Sequence, residues 1–341
     1  MNLSLQEIFR IDTEDDAVAA SGLTDIYRFD ADADGRIYIL APPDRQGNLV
    51  RRFSAEGKFI GSFGRVGQGP GESEYPNDLR AASGGRIWIL ESPKNKVHAF
   101  TPEGKFAEDI SPFGFETILP LASGGCLATR LDAGNPQAKY FALSLGLYDS
   151  NFKLVKELDR FEKAPNSRVL EKIPEKYING IKWIFLGQAS SDRIYVGNSE
   201  RGYEILVFDF GGRLIRKIRK EFAPVPVSDE YRLKFLKPYE EGMPAYAKKV
   251  YFPDSWHPFQ AFFPDDHGRL WVMTYELGAS PNEFIFDVFD QTGVFVARRS
   301  LNVRAEGVGM VQALIRGDRL YLVQEKPGGF KQLQVLRMIW N

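Results

Sequence analysis

The chain has 341 residues, of which 43% are hydrophobic and 26% are charged, so its composition is that of a folded globular protein and does not support disorder or collagen-like repeats. Its 44 basic and 45 acidic residues leave a formal net charge of −1, which provides no general field for binding nucleic acid. The single cysteine, Cys126, excludes an internal disulfide, and three histidines are too few for the usual structural zinc sites.

The sequence shows neither a membrane helix nor a secretory leader. No stretch reaches the roughly 18 uninterrupted apolar residues that a membrane helix requires. Residues 1–7 lack the basic start and the apolar run of a signal peptide. A leader removed before residue 1 is invisible in the sequence, so the compartment stays open at this point.

A turn followed by a short apolar strand recurs six times along the chain. Each copy joins a Gly or Asp turn to a run of β-branched and aromatic residues, which is typical of a turn leading into a buried strand. The copies span residues 35–40, 85–90, 124–128, 192–196, 268–273 and 318–323. This recurrence predicts a repeat architecture.

Each copy belongs to a unit of four predicted strands, A to D. An apolar segment precedes the repeated phrase, as at residues 25–29 and 259–263, and two further strands separated by a tight polar turn follow it. Six such antiparallel units predict an all-β fold, a six-bladed β-propeller forming a single domain over residues 1–341. A β-sandwich is the alternative, but its strands do not normally repeat one side-chain phrase.

The two ends of the chain predict how the ring closes. After the sixth phrase there is room for one more strand, residues 332–339, and the sixth blade lacks a strand D. The apolar segment 3–11 precedes the first unit and is expected to supply that missing outer strand, which removes an exposed edge.

A long insertion at residues 220–257 separates blades 4 and 5. Ser228 is a plausible N-cap for a helix that Pro238 is expected to end, and a second short helix is predicted at 244–251. The aromatic segment 251–259 leads into strand A of blade 5 and is expected to lie over the mouth of the central channel. It either packs the insertion onto the disc or lines a ligand pocket.

The second unit carries the most specific motif. It contains Gly69-Pro70-Gly71-Glu72, then Pro76 at the start of a strand, then Gly85-Arg86-Ile87-Trp88, and Asn95 before the third strand. This unit resembles the NHL repeat, and the recurring phrase extends the resemblance over most of the chain. The resemblance implies a bacterial six-bladed NHL-type propeller, a group with many exported or lipid-anchored proteins of unknown function, whose relatives include lactonases, lyases and interaction modules.

The two faces of the predicted disc differ in their loops. The A–B and C–D turns lie on one face and are short and nearly uniform, as expected of a scaffold. The B–C loops and D–A links lie on the other face, the loop-rich face, and include long links at 64–75, 160–178 and 220–257. Function on such scaffolds usually resides in elaborated loops. The candidate ligand-binding residues are therefore those expected around the channel mouth on this face: Asn77, Arg130, Lys182, Trp183, Trp256, His257 and Gln260.

The sequence offers few residues that are suited to catalysis. The three histidines are scattered, with His98 in a strand C and expected to face a neighbouring blade, His257 in the aromatic segment and His267 in a turn on the opposite face. An oxygen-ligand metal site would have to use residues near strand ends, for which loop hydrogen bonding is the alternative interpretation: Asn77, Asp78, Glu91 and Asn198. Cys126 begins a predicted buried strand, where an inert thiol is expected.

The sequence therefore favours a binding or interaction scaffold that holds a protein, peptide or glycan ligand on the loop-rich face. A metal-dependent hydrolase or lyase, lactonase-like and acting at the central channel, is the alternative. No cofactor is expected, although a divalent cation such as calcium in the channel is compatible with the fold. We expect a monomer without a nucleic-acid partner, and the resemblance implies a periplasmic or cell-surface location, with the cytoplasm as the alternative.

Overall fold

Six four-stranded antiparallel sheets follow one another along the chain and form the blades of a propeller. The computed structural model describes residues 3–82, 85–91, 96–111, 114–132, 135, 137–165, 167–181, 183–190, 192–280, 283–303 and 312–340, with the backbone alone at 163–165 and 167–168. These sheets confirm the six-bladed architecture predicted from the repeated phrase.

The strands are numbered in chain order, and the first strand of the chain belongs to the last blade. Blade 1 consists of β2 (Arg28–Ala31), β3 (Ile37–Leu40), β4 (Asn48–Phe53) and β5 (Phe59–Arg65), and blade 2 of β6 (Pro76–Ala82), β7 (Arg86–Glu91), β8 (Lys96–Phe100) and β9 (Phe106–Ile110). Blade 3 consists of β10 (Phe115–Pro120), β11 (Cys126–Asp132), β12 (Tyr140–Tyr148) and β13 (Leu154–Pro165), and blade 4 of β15 (Phe185–Ala189), β16 (Ile194–Asn198), β17 (Glu204–Phe208) and β18 (Leu214–Arg219). Blade 5 consists of β20 (Ala261–Pro264), β21 (Leu270–Leu277), β22 (Glu283–Phe289) and β23 (Phe295–Asn302), and blade 6 of β24 (Ala313–Arg316), β25 (Arg319–Glu325), β26 (Lys331–Trp340) and β1 (Leu3–Asp12).

Hydrogen bonding within the A–B turns explains the recurring Gly-Arg phrase. In blade 1, Asp32 Oδ1 accepts the backbone N–H of Arg36 at 2.9 Å, and Asp32 Oδ2 accepts its side-chain Nε–H at 2.7 Å. Gly35 has a φ of 78°, a conformation that suits glycine. In blade 5, Asp265 makes the same two contacts to Arg269. The phrase is therefore a self-contained turn that starts strand B.

The hydrophobic core is divided among the six blade interfaces. One cluster joins blades 5 and 6 around Trp271, which is fully buried, and another joins blades 6 and 1 around Ile11 and Leu333. The interfaces between blades 1 and 2, 2 and 3, 3 and 4, and 4 and 5 each have a cluster of their own. Because each sheet buries side chains against both neighbours, closure of the ring leaves no blade with an uncovered apolar face.

The N-terminal strand closes the ring, as the sequence predicted. Strand β1 pairs antiparallel with β26 from Leu3 opposite Trp340 to Asp12 opposite Gln332. Ile11 is fully buried in the cluster between blades 6 and 1. The first and last segments of the chain thus form one blade together.

The insertion between blades 4 and 5 contains two helices, but their bounds differ from the prediction. Helix α2 (Asp229–Gly242) is capped by Ser228, whose Oγ accepts the Tyr231 N–H, and it continues through Pro238 instead of ending there. Proline removes only one backbone donor, and hydrogen bonding resumes with the Met243 N–H bonded to the Tyr239 carbonyl at 2.7 Å.

The second predicted helix, 244–251, is shorter in the structure. Helix α3 is Pro244–Ala247, and the chain then forms a two-residue strand, β19 (Val250–Tyr251). This strand pairs in parallel with β14 (Ile178–Asn179), which belongs to the link between blades 3 and 4. The last residues of the predicted helix therefore form a strand that pairs with another link. One further short helix, α1 (Asp16–Ala19), and 3₁₀ turns at Ser167–Lys172 and Ser199–Arg201 complete the described elements.

Candidate functional site

A cavity of about 710 Å³ occupies the centre of the disc at the end formed by the short A–B turns. Its lining comes from all six blades, and one residue from each, in blade order, is Asp30, Arg80, Leu119, Ala189, Asp266 and Arg316. This cavity therefore lies in the central channel, where the ends of the A strands converge.

The position of this cavity was not predicted from the sequence, which assigned the short-turn end to the scaffold. A signal was nevertheless present. Asp30 and Arg80 are charged residues inside A strands that otherwise enter the core, between Phe29 and Ala31 and between Leu79 and Ala81. Charged residues at such positions are almost never fully buried without a partner.

Asp30 is the most deeply buried charge in this cluster, with 6% of its surface exposed. Its Oδ1 accepts the N–H of Ala31 at 2.8 Å, and its Oδ2 accepts the N–H of Ala81 in blade 2 at 2.9 Å. Burial raises the pKa of Asp30, and the nearby guanidinium groups of Arg316 and Arg80 together with these N–H donors oppose that rise. Asp30 thus joins blades 1 and 2 at the cavity wall.

Asp30 is expected to make the protein more stable as the pH falls. Because its pKa is higher in the folded protein than in the unfolded chain, the folded state binds the proton more tightly. The ionised Asp30 destabilises the folded protein at pH values above the pKa of Asp30 in the folded state. This effect disappears as the pH falls from that pKa towards the pKa of about 3.9 in the unfolded chain. Each unit of pKa difference corresponds to about 1.4 kcal/mol. In urea unfolding, the free energy of unfolding of the wild type should rise relative to that of Asp30→Asn between neutral and mildly acidic pH. Carboxyls with lowered pKa values, such as those of Asp12 and Asp109, act in the opposite direction in both proteins. Identical pH profiles would contradict the prediction.

Three of the predicted ligand-binding residues lie together where the insertion meets blade 5. Trp256 stacks on Tyr275, with ring centroids 4.6 Å apart and planes at 14°, and its ring meets that of Tyr231 of α2 edge-on at 4.5 Å. Trp256 therefore connects the insertion helix to strand B of blade 5.

His257 and Gln260 pack against the same strand. The Nε2 atom of His257 is buried without a hydrogen-bond partner among the described residues, and burial lowers the pKa of this imidazole. Gln260 is 9% exposed, and its side-chain amide donates to the Thr274 carbonyl at 2.7 Å. The structure thus gives Gln260 a partner within its own blade.

The remaining predicted residues belong to other blades. Trp183 is 36% exposed at the start of blade 4 and stacks on Phe161 of blade 3, with centroids 4.9 Å apart. Asn77 and Arg130 are exposed at the start of strand A of blade 2 and on strand B of blade 3. Lys182 lies outside the described residues. Ligand binding by these residues stays a prediction.

Three of the four oxygen ligands considered for a metal have a local partner. Asp78 pairs with Arg80, Glu91 Oε2 lies 3.2 Å from His98 Nε2, and Asn198 caps a 3₁₀ turn through the Glu200 N–H. Across the part of the chain that the structure describes, no group of three or more His, Cys, Asp or Glu residues could hold a metal ion.

The polar partners of His98 lie within its own blade. Its Nδ1 lies 2.7 Å from Asp109 Oδ1, its Nε2 faces Glu91, and the imidazole is fully buried. This interaction joins strands B, C and D of blade 2.

Cys126 is buried as predicted, and burial raises the pKa of its thiol to about 12, which disfavours a reactive thiolate.

None of the described helices is both long and apolar enough to cross a membrane. This finding agrees with the absence of a long apolar run in the sequence.

Solved structures resemble this chain in fold. A protein of Bacteroides fragilis that is predicted to be exported aligns over 99% of this chain and 95% of its own, with a TM-score of 0.53 and 11% identity. A member of the DUF4221 family from Bacteroides vulgatus aligns over 99% of both chains, with a TM-score of 0.52 and 12% identity. No protein-family model and no curated protein matches the sequence, so the NHL resemblance stays a prediction. At these identities the likeness concerns the architecture alone, and the chain is a six-bladed β-propeller.

Proposed function

We propose that the protein is a binding module that holds a macromolecular ligand on its loop-rich face. Of the ligands considered, a protein, a peptide or a glycan, we favour a glycan. The observation that carries this choice is the environment of Trp183, an indole that is 36% exposed and supported by a stacked ring, Phe161. A flat ring fixed in this way offers contact area at little cost in side-chain entropy, which suits the apolar face of a sugar ring.

Two exposed tyrosines support the choice of this face. Tyr177 and Tyr251 are 55% and 40% exposed, and they adjoin the paired strands β14 and β19, which the links on either side of blade 4 contribute. The ring of Tyr177 lies 5.5 Å from that of Tyr140, and burial, with Tyr177 and Tyr251 nearby, raises the pKa of Tyr140 to about 12. Tyr177 and Tyr251 lie on the long links, where binding residues are usually found.

The alternative, a metal-dependent hydrolase or lyase, has less support. Its ligands would have to converge on the channel from several blades, and the described acidic residues considered for that role are engaged in local pairs.

The proposal also includes an exported location, periplasmic or at the cell surface, for which the Bacteroides fragilis structure is the supporting comparison. The cytoplasm is the alternative.

Trp183→Ala is expected to weaken glycan binding on the order of tenfold without unfolding the protein, because it removes one partly exposed ring that makes no hydrogen bond to the residues that the structure describes. The wild-type protein would be applied to arrays of short oligosaccharides and of short peptides. The affinity of the best binder would then be measured by calorimetry for both proteins. Phe59→Ala is the control, since Phe59 is 43% exposed but lies at the short-turn end of blade 1.

Each outcome of this experiment bears on the proposal. Glycan binding that Trp183→Ala weakens and Phe59→Ala leaves intact supports it. If a peptide binds with the same pattern, the glycan is rejected as the ligand, but the assignment of the binding site to the loop-rich face is supported. Binding that is equally strong in wild type and Trp183→Ala, or no binding on either array, rejects the assignment of this surface.

A further inference from the structure

The cavity at the short-turn end has a charged half and an apolar half. Blades 6, 1 and 2 contribute Arg316, Asp30 and Arg80, and blade 3 contributes Leu119 and Pro120. Sites for small molecules have volumes of about 300–1,000 Å³ and combine an apolar wall with polar groups that orient the ligand. At about 710 Å³ the cavity falls within that range.

Among the residues that the structure describes, Arg316 makes only long contacts, and its Nε donates to the Ala31 carbonyl at 3.5 Å. Its Nη1 lies 3.4 Å from Asp266 Oδ1 and its Nη2 lies 3.9 Å from Asp30 Oδ1, although charge-assisted hydrogen bonds are usually about 2.7–2.9 Å long. In the neighbouring blade, by contrast, Arg36 Nε lies 2.7 Å from Asp32 Oδ2. The side chain of Arg316 is 34% exposed. Its guanidinium group therefore retains capacity for a stronger acceptor.

Arg80 is positioned firmly and still has a donor to offer. Asp78 Oδ2 accepts hydrogen bonds from its Nε at 3.0 Å and from its Nη2 at 2.8 Å, which fixes the plane of the guanidinium group. Its Nη1 makes no hydrogen bond to any residue that the structure describes, and the side chain is 36% exposed. Both Arg80 and Arg316 act electrostatically on Asp30.

The two carboxylates nearest to Arg316, those of Asp30 and Asp266, accept backbone hydrogen bonds. Asp30 accepts the N–H groups of Ala31 and Ala81, and Asp266 accepts the N–H of Gly317 at 2.9 Å. The lining as a whole contains four arginines and five aspartates, so no net positive field attracts an anion. Any selectivity for anions must therefore come from direct contact with the two incompletely bonded guanidinium groups.

We propose that this cavity binds a small organic anion. Its carboxylate or phosphate group accepts hydrogen bonds from Arg316 and Arg80, and its apolar body rests against Leu119 and Pro120. The planar fork of a guanidinium group matches two oxygens of either anion. The site lies at the opposite end of the disc from Trp183 and does not depend on glycan binding there.

The test compares an anion with a neutral molecule of the same shape. Benzoate, phenyl phosphate and the neutral control benzamide would be titrated into the full-length protein at constant ionic strength, with protein NMR shifts as the readout. We expect saturable binding of an anion and at least tenfold weaker binding of benzamide. Arg316→Gln should lower the affinity for the anion by about tenfold or more, since a hydrogen bond to a charged group contributes about 1.5–3 kcal/mol.

Matched variants separate this site from unspecific effects. Arg86→Gln removes the arginine of the Gly-Arg phrase in blade 2, which pairs with Glu108 outside the cavity, and should bind the anion like the wild type. Arg316→Lys keeps the charge but loses the fork, and should lie between wild type and Arg316→Gln. Trp183→Ala should bind normally, whatever the fate of the glycan surface.

The relative affinities of benzoate and phenyl phosphate identify the preferred oxyanion, and either preference supports the proposal. Equal binding of benzamide and the anions, or wild-type anion affinity in a folded Arg316→Gln protein, overturns it. The absence of saturable binding of both anions at concentrations below about 10 mM also overturns it, because even a weak specific site has a Kd of about 1 mM.

Discussion

Removal of residues 1–12 is expected to abolish the cooperative folding of the whole propeller. The deletion takes away β1, which pairs with β26 along its length, and leaves the edge of β26 open. It also removes Ile11 from the cluster between blades 6 and 1, where loss of one large aliphatic side chain alone costs about 2–5 kcal/mol. Because domains are stable by only about 5–15 kcal/mol in total, loss of a complete strand exceeds what the ring can tolerate.

Near-ultraviolet circular dichroism and size-exclusion chromatography would measure this effect. The truncated protein should lose its fixed aromatic signal or elute as aggregates, and a synthetic peptide of residues 3–12 should restore the signal when added during refolding. The control is a peptide with Ile11→Asp, which keeps the backbone donors but cannot fill the core. A truncated protein that melts at the wild-type temperature without the peptide would show that β1 is dispensable.

His98→Ala is expected to destabilise the protein by about 1–3 kcal/mol, the usual effect of removing one partner of a buried hydrogen bond. The imidazole is fully buried and contacts one carboxylate through each ring nitrogen, Asp109 through Nδ1 and Glu91 through Nε2. Its removal leaves Glu91, which is 4% exposed, without this contact and opens a cavity between strands B and D of blade 2. Strand C then loses the side chain that connects these two strands.

Urea unfolding at neutral pH provides the measurement. His267→Ala is the matched control, because His267 lies in an exposed turn, and a substitution there should change the free energy of unfolding by less than about 0.5 kcal/mol. A loss below 1 kcal/mol for His98→Ala, similar to that of the control, would mean that Glu91 and Asp109 find other partners at little cost.

The sequence was sufficient to predict the architecture because the determinants of a blade are local. The turn at Gly35 and Arg36 and its counterpart at Arg269 repeat the same hydrogen bonds, so the same phrase returns in the sequence. The closing strand was also predictable, since the sixth unit has three strands and the apolar segment at the N-terminus has no other partner.

The cavity was not predictable in the same way, because its lining comes from residues of six blades that meet only in the folded ring. Asp30 and Arg80 are 50 residues apart in the sequence and become neighbours only when two A strands lie side by side around the channel. The pairing of β14 with β19 likewise joins two links across blade 4 by only two residues each, which is too short to leave a pattern. Pro238 misled the helix prediction, because one missing donor does not end a helix whose later turns are bonded.

The partnership of β1 and β26 has a consequence for the order of events during synthesis. Glu7 of β1 and Gln334 of β26, whose side chains are hydrogen-bonded, are 327 residues apart, so β1 leaves the ribosome long before β26 and must wait for it. At about 5–20 residues per second this delay lasts tens of seconds, during which β1 is an unpaired strand. The charged pair of Glu7 and Arg10 on this strand, with Nη2 and Oε1 2.7 Å apart, is suited to keep the waiting segment from associating with other chains.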